Sequence, residues 1–302
     1  MFTILRDLII GNPKRKPDNP VPVKAIDITP MQDAMQTKVI WLGHSSVWME
    51  MEGKRLLFDP TFANSPSPIP LIGGKRFNPV LPIEPEKLPP IDIVVLSHDH
   101  YDHLDYKSIL QIKDKTHLFC VPSGVGKHLR RWGVIPERIK EFVWWNELSI
   151  AGLTLACTPA QHFSGRNLFD RNTTLWSSWV ISGQEKKIFF SGDGGYGSHF
   201  KQIGRKYGPF DLTLMECGQY DKRWSSIHMM PEETIQAHID VQGIRLLPLH
   251  WAAFSLAFHD WTDPIERALK AANEKEVNII TPQIGEPVIL GDTENPINTW
   301  WR

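Results

Sequence analysis

The chain has 302 residues, with 33 basic and 34 acidic side chains and a formal net charge of -1. Its hydrophobic fraction of 41% and charged fraction of 22% are those of a globular protein with a sizeable core. This balance argues against nucleic acid as a partner, since nucleic-acid-binding proteins normally carry a basic excess or a basic patch.

The three cysteines, Cys120, Cys157 and Cys217, are far apart, odd in number and form no Cys-x-x-Cys motif. They predict no disulfide framework and a reducing compartment. No run approaches the ~20 apolar residues of a membrane span. The first ten residues are interrupted by Arg6 and Asp7 and lack the basic leader and cleavage site of a signal peptide. We therefore expect a cytoplasmic protein, and we leave its oligomeric state open.

The N-terminal segment carries apolar side chains at helical spacing, namely Phe2, Ile4, Leu5, Leu8 and Ile9. This pattern favours a segment docked on the domain, and a peripheral contact with a membrane interface is the alternative. Residues 11–22 are rich in proline and are predicted to be extended, without helix. We treat residues 1–36 as an N-terminal extension packed on a domain that comprises residues 37–302.

The next part of the chain is rich in predicted strands, at 39–42, 47–51 and 55–58. Residues 60–90 hold nine prolines and indicate a long loop. The nearly continuous apolar run 91–96 is typical of a strand buried on both faces. The remaining predicted helices are 105–113, 124–132, 198–207, 231–242 and 263–275, and the remaining strands are 117–122, 140–143, 148–158, 175–182, 187–191, 211–216, 244–249 and a pair between 277 and 290. Helices separated by strand pairs predict a layered α/β domain with mixed sheets.

A histidine-rich run, Ser97-His98-Asp99-His100-Tyr101-Asp102-His103, follows the buried strand directly. His98 and His100 are two residues apart, so an extended backbone turns both side chains the same way. Asp102 and His103 are adjacent and point differently, which suits a second ion. Polar groups this close together need partners, and a metal ion satisfies them most economically.

Three more residues of metal-ligand type, His162, Asp193 and His250, each follow an apolar run that is predicted to be a strand. Side chains delivered by several strand ends meet at one edge of the sheets. Neutral imidazoles suit zinc, whereas a mixed carboxylate and imidazole set suits zinc, iron or manganese. The sequence therefore predicts a metal site at this edge.

The order His-x-His-x-Asp-His, a later His, Ser-Gly-Asp and a final His resembles the metallo-β-lactamase fold. The resemblance implies an α/β protein built as a four-layer αββα sandwich of mixed sheets. Further motifs are more specific, among them Phe58-Asp59-Pro60-Thr61-Phe62, Trp176-Ser177-Ser178-Trp179 and His250-Trp251. Over about residues 37 to 260 the chain resembles the N-acyl-phosphatidylethanolamine-hydrolysing phospholipase D family.

This resemblance implies a site with two zinc ions, iron or manganese being alternatives. The implied ligands are His98, His100 and His162 for one ion, Asp102, His103 and His250 for the other, and Asp193 as a bridge together with a hydroxide. The implied reaction is hydrolysis of a phosphodiester, in which Asp193 takes part in catalysis.

Four residues outside this set have open roles. His228 precedes a helix that is predicted to begin near Pro231, and it is a candidate for contacting phosphate or protonating the leaving group. A structural role for His228 is the equal alternative, and Tyr220 is a weaker candidate of the same kind. His44 is expected either to contact substrate or to hold a turn. Asp59 is expected to support ligands by hydrogen bonds.

Three functions fit this sequence. The first is a zinc phosphodiesterase of the phospholipase D type that acts on N-acyl phosphatidylethanolamine or related glycerophospholipids. The second is a metal-dependent lactonase, or another small-molecule hydrolase of the same fold, and Lys75 and Arg76 suit either substrate. The third is a non-enzymatic scaffold that uses the proline-rich loop for partners. A complete ligand set argues against the scaffold.

Overall fold

The computed structural model describes residues 6–7, 11–28, 33–68, 74–150, 152–291 and 296–302. The strands are β1 Thr37–Gly43, β2 Ser46–Met51, β3 Lys54–Phe58, β4 Ile91–Val95, β5 Thr116–Pro122, β6 Ile139–Phe142, β7 Glu147–Ile150, β8 Leu153–Thr158, β9 Ser178–Ser182, β10 Lys187–Phe190, β11 Leu212–Glu216, β12 Leu246–Leu249 and β13 Pro287–Leu290. The α-helices are α1 Tyr106–Ile112, α2 Gly126–Arg131, α3 His199–Tyr207, α4 Pro231–Asp240 and α5 Asp263–Glu274.

The strands form two mixed sheets, in the orders β13-β1-β2-β3-β4-β5-β6 and β12-β11-β10-β9-β8-β7. Strands β3 to β6 run parallel to one another, and so do β10 to β12. Because β9 is antiparallel to both β8 and β10, β8 runs in the same direction as β10. In each sheet, therefore, several strands end at one common edge.

The two sheets pack face to face, and helices cover both outer faces. Phe58 of the first sheet meets Phe190 of the second, with ring centroids 5.1 Å apart. The neighbouring Phe189 points to the opposite face, as alternation along a strand requires, and packs against Phe200 of α3. On the outer face of the first sheet, Ile109 of α1 belongs to a second hydrophobic core. This arrangement confirms the predicted four-layer αββα sandwich.

Most predicted elements agree with the structure within a few residues, and three predictions were wrong. The strand predicted at 148–158 is the hairpin of β7 and β8, because the chain reverses at Gly152, which has φ +91°. The strand pair predicted between 277 and 290 is the single strand β13 with isolated bridges before it. The predicted extended leader contains one 3-10 turn, Pro13–Arg15, since proline fits the first turn of a helix.

The described part of the N-terminal extension lies against the domain. Val21 is buried, and the backbone N–H of Lys24 donates to the carbonyl of Ile284 at 2.8 Å. The boundary between residues 36 and 37 stays a prediction. The predicted docking of the N-terminal segment, on the domain or on a membrane, concerns residues that lie outside the described ones: Phe2, Ile4, Leu5, Leu8 and Ile9.

Within the described residues, no helix is long and apolar enough to cross a membrane. The three cysteines are buried thiols that form no disulfide, as the sequence predicts.

Candidate metal centre

The candidate metal centre lies where strands of both sheets end. The histidine-rich run follows β4, and Asp59 follows β3 in the same sheet. His162, Asp193 and His250 follow β8, β10 and β12 of the other sheet. The structure thus brings all seven predicted ligands to one edge of the sandwich, in overlapping clusters of atoms that lie within 4.8 Å of one another.

The first cluster consists of three imidazoles, from His98, His100 and His162. His98 Nε2 lies 2.8 Å from His100 Nδ1, and His162 Nε2 lies 3.2 Å from the same atom. The Nδ1 of His162 lies 2.9 Å from the carbonyl oxygen of Ile227, to which its N–H donates, so its Nε2 lone pair faces the cluster.

The second cluster contains the predicted ligands Asp102, His103 and His250 and also His44. His44 Nε2 lies 2.8 Å from Asp102 Oδ2. The His44 ring is fully buried, and its backbone carbonyl accepts a hydrogen bond from the N–H of His250. His44 therefore positions two predicted ligands and also forms the turn between β1 and β2.

Asp193 lies between the two clusters. Its Oδ2 is 3.0 Å from His103 Nε2 and 3.9 Å from His98 Nε2, and its Oδ1 is 3.2 Å from His250 Nδ1. The preceding residue must be glycine for Asp193 to lie here. A Cβ on Gly192 would clash with Ser97 Cβ at 2.7 Å, and the φ of Gly192, +57°, is one that other residues rarely adopt.

The donor set fits divalent metal ions. His98 and His162 both approach one nitrogen of His100, and a single proton cannot satisfy both contacts, whereas a cation can. His103 Nε2 and Asp193 Oδ1 are buried, and among the described residues none of their contacts at 3.0 to 3.2 Å has hydrogen-bond geometry. Burying polar atoms without a partner costs free energy unless an ion binds them, and zinc is commonly bound by histidine nitrogens.

The ionisation of these groups also suits metal binding. Burial lowers the pKa of His98, His162 and His250 well below the ordinary value, so these rings are neutral at neutral pH. Burial alone would raise the pKa of Asp193, but the charge of His103 outweighs it and holds that pKa well below its usual range. Burial alone would lower the pKa of His103, but the Asp193 and Asp102 carboxylates outweigh it and raise that pKa well above the ordinary value, so a metal ion must displace a proton from His103. Neutral imidazole and ionised carboxylate are the forms that bind metals.

Three residues at the same edge have a strained backbone. His44, Asp59 and His250 have φ values of +53°, +37° and +66°. Side chains other than glycine adopt this left-handed region rarely, at a cost of order 1–3 kcal/mol each. All three side chains contact the predicted ligands, so the strain is located where the strands turn to aim them.

Asp59 performs the supporting role that the sequence predicts. Its Oδ2 lies 2.7 Å from His103 Nδ1, and its Oδ1 accepts the backbone N–H of Ser97. An acceptor at Nδ1 fixes the ring orientation and leaves His103 Nε2 for the centre.

Glu216 also lies at the site and was not among the predicted residues. It ends β11 at the same edge, and its Oε2 lies 2.7 Å from His228 Nδ1. Its Oε1 accepts the N–H groups of Gly194 and Met229. The sequence already shows that Glu216 is a carboxylate at the end of an apolar strand, which is the pattern from which Asp193 was predicted.

His228 belongs to a third candidate cluster, together with Asp193, Glu216 and His250. Its ring lies 5.1 Å from that of His162 and is stacked at 5.3 Å on that of His250. Burial alone would lower its pKa, but the Glu216 carboxylate outweighs burial and raises the pKa to about 9. Because Nδ1 bonds to Glu216, Nε2 is the nitrogen available for chemistry. Tyr220 does not join the site, since its hydroxyl donates to Asp263.

A cleft of about 1170 Å³ opens beside the centre, lined by Tyr101 of the histidine-rich run. None of the seven predicted ligands lines it. Six basic side chains do, and we call it the basic cleft: Lys75, Arg76, Lys107, Lys127, Arg131 and Arg166.

The chain is similar to known proteins over most of its length. The family model "Beta-lactamase superfamily domain" matches residues 54–251. The N-acyl-phosphatidylethanolamine-hydrolyzing phospholipase D 1 of Caenorhabditis elegans is 32% identical over 290 residues, which cover 90% of this chain and 81% of that protein. An uncharacterised protein of Mycobacterium tuberculosis is 42% identical over 305 residues, covering 99% of this chain and 80% of that protein.

Among solved structures, a metallo hydrolase from the archaeon Ignicoccus hospitalis superposes with a TM-score of 0.63 at 21% sequence identity. The match covers 85% of this chain and 100% of the archaeal chain, and it shows a shared fold.

Proposed function

Because this chain belongs to the beta-lactamase superfamily of metal-dependent hydrolases, we propose that it is a phosphodiesterase of the phospholipase D type. The proposed substrate is N-acyl phosphatidylethanolamine or a related glycerophospholipid, cleaved on the headgroup side of the phosphate. The observation that carries this proposal is the likeness to the Caenorhabditis elegans phospholipase over 90% of the chain.

Two zinc ions are the proposed metals. We assign one to His98, His100 and His162, and the other to Asp102, His103 and His250, with Asp193 shared by both. When bound, such a pair neutralises the charge of a phosphodiester and activates water for in-line displacement.

The proposed role of His228 is to protonate the oxygen of the departing alcohol. Its Nδ1 is bonded to Glu216 at 2.7 Å, so the proton is delivered from Nε2. Its raised pKa of about 9 keeps this ring protonated at neutral pH, as a general acid must be. In this proposal Glu216 positions the His228 ring and does not touch substrate. Asp193 orients His103 and His250, whose ring nitrogens lie 3.0 and 3.2 Å from its carboxylate oxygens.

The test is to incubate the purified, zinc-replete protein with N-acyl phosphatidylethanolamine in mixed micelles and to measure phosphatidic acid by mass spectrometry. We expect equal amounts of phosphatidic acid and N-acylethanolamine from the wild type and none from Asp193→Asn. Intact lipid after incubation with metal-replete enzyme would refute the proposal. Hydrolysis of a sugar-phosphate lactone by the same preparation would then favour the lactonase alternative.

A further inference from the structure

Two bulky apolar side chains project into solvent beside the basic cleft. Leu168 is 93% exposed and Phe169 is 94% exposed, the highest exposures among the large hydrophobic residues that the structure describes. Their sequence neighbours Arg166, Asn167 and Asp170 line the basic cleft, so the pair lies at its rim.

The loop that carries this pair is held by its own hydrogen bonds. Asp170 Oδ1 accepts the backbone N–H groups of Arg166 and Asn167, each at 2.8 Å. The Asn167 side chain donates to Asp170 Oδ2 and accepts the N–H of Phe169. A loop fixed in this way holds Leu168 and Phe169 away from the protein, although burying each of them would be favourable.

Hydrogen bonds also join the same loop to the histidine-rich run and to Leu104 just after it. Arg166 Nη1 donates to the carbonyls of Asp99 and Leu104, each at 2.7 Å, and the Tyr101 hydroxyl donates to the Arg166 carbonyl at 2.8 Å. The Arg166 guanidinium also stacks 4.0 Å above the Tyr101 ring. Whatever binds the tip of the loop is therefore held at a fixed place relative to the histidine-rich run.

Three cations of the basic cleft lack an anionic partner. Lys75, Lys107 and Arg131 are exposed and form no salt bridge within the described residues. The two carboxylates that line the cleft are engaged elsewhere, Asp105 with Ser108 and Asp170 within its own loop. The rim thus presents apolar side chains flanked by positive charge.

We propose that Leu168 and Phe169 dock this face of the protein on a lipid bilayer that contains anionic headgroups. The two side chains enter the bilayer interface, and the exposed cations Lys75, Lys107 and Arg131 bind headgroup phosphates. Apolar residues beside lysine and arginine are the composition of an interfacial membrane contact. Docking does not depend on which bond the enzyme cleaves, so it goes beyond the proposed function.

A bilayer suits this surface better than a protein partner does. A stable protein interface buries about 800 Å² on each partner, and two side chains supply well under that area. Insertion into a bilayer needs no matching surface, because the lipid adapts to whatever projects into it.

The test uses vesicles of phosphatidylcholine with and without phosphatidylglycerol, and the full-length, metal-replete protein. We expect the wild type to sediment with the anionic vesicles. The double variant Leu168→Ser, Phe169→Ser should bind them about tenfold more weakly for each side chain removed. The matched control is Ile244→Ser, since Ile244 is 54% exposed and precedes β12 at the edge opposite the metal centre.

Charge is tested separately with Lys107→Gln and Arg131→Gln. Each change should weaken binding to anionic vesicles several-fold and leave binding to neutral vesicles unchanged. Thermal unfolding of every variant establishes that it is folded, without any measurement of activity.

Insertion itself is tested by Phe169→Cys labelled with a polarity-sensitive fluorophore, which is practical because the three native cysteines are buried. The label should shift to shorter wavelength with anionic vesicles, and a label at Ile244→Cys should not. Equal responses at both positions, or unchanged binding by the double serine variant, would overturn the proposal. Loss of self-association in that variant without loss of vesicle binding would also overturn it and would indicate a second copy as the occupant.

Discussion

Asp59 and Glu216 support the site in the same way, each by an oxygen 2.7 Å from the Nδ1 of a histidine. Both carboxylates are buried at strand ends, and both leave Nε2 of their histidine directed to the centre. The two histidines belong to different candidate clusters, His103 to the one with His44 and Asp102, and His228 to the one with Glu216 itself.

Replacing Asp59 should weaken metal binding. In Asp59→Asn the His103 ring loses its anionic acceptor, and we expect metal affinity to fall about 10–100-fold. Competition with a chromogenic chelator measures this, with the exposed Asp114→Asn as control. Unchanged affinity in Asp59→Asn would contradict the supporting role.

Replacing Glu216 should impair catalysis and spare the metals. We expect Glu216→Gln to lower kcat about tenfold and His228→Gln about a hundredfold, because the first misorients the proton donor and the second removes it. Metal content, measured by atomic spectroscopy, and KM should change little. A parallel loss of metal and activity in Glu216→Gln would instead identify Glu216 as a ligand.

At the scale of elements, Trp179 of β9 joins the two sheets. Its ring lies in the core between them, and its Nε1 donates to the carbonyl of Leu96, the residue after β4, at 2.9 Å. The bond is close to the histidine-rich run, so the same contact stabilises the sandwich and fixes the strand end that carries the run.

Replacing Trp179 by Phe should lower the free energy of unfolding by about 1–3 kcal/mol, because a buried carbonyl loses its partner. Urea denaturation measures the change. The matched control Trp145→Phe concerns a half-buried ring whose indole nitrogen forms no hydrogen bond within the described residues, and it should cost less. Equal losses would show that ring volume, rather than the hydrogen bond, decides stability.

At the scale of the whole molecule, metal ions should hold the two sheets together, because the predicted ligands come from both. A ligand at about a hundred times its dissociation constant stabilises the folded state by about 2.7 kcal/mol. For a chain of this size we expect dialysis against a chelator to lower Tm by several degrees, and zinc to restore it. Calorimetry checks this, and a Tm unchanged by chelation would contradict a metal site that spans both sheets.

Local patterns in the sequence were sufficient for the order of the elements and for the seven candidate ligands. Strand-end histidines and aspartates are visible because apolar runs precede them, and the spacing of His98 and His100 already turns both side chains one way. The helix that begins at Pro231 was predicted correctly, since proline fits only the first turn. Turns such as that at Gly152 were missed because one glycine in an apolar stretch also fits a strand.

Only the tertiary structure decided which distant groups meet. Glu216 and His228 are twelve residues apart, and their bond depends on how β11 ends and how the loop after it returns. His44 and Asp102 are 58 residues apart in the sequence, and their side chains form a hydrogen bond because β1 and β4 lie in one sheet. The exposure of Leu168 and Phe169 was equally hidden, since apolar residues are normally buried, and their surroundings alone reveal that the loop holds them out.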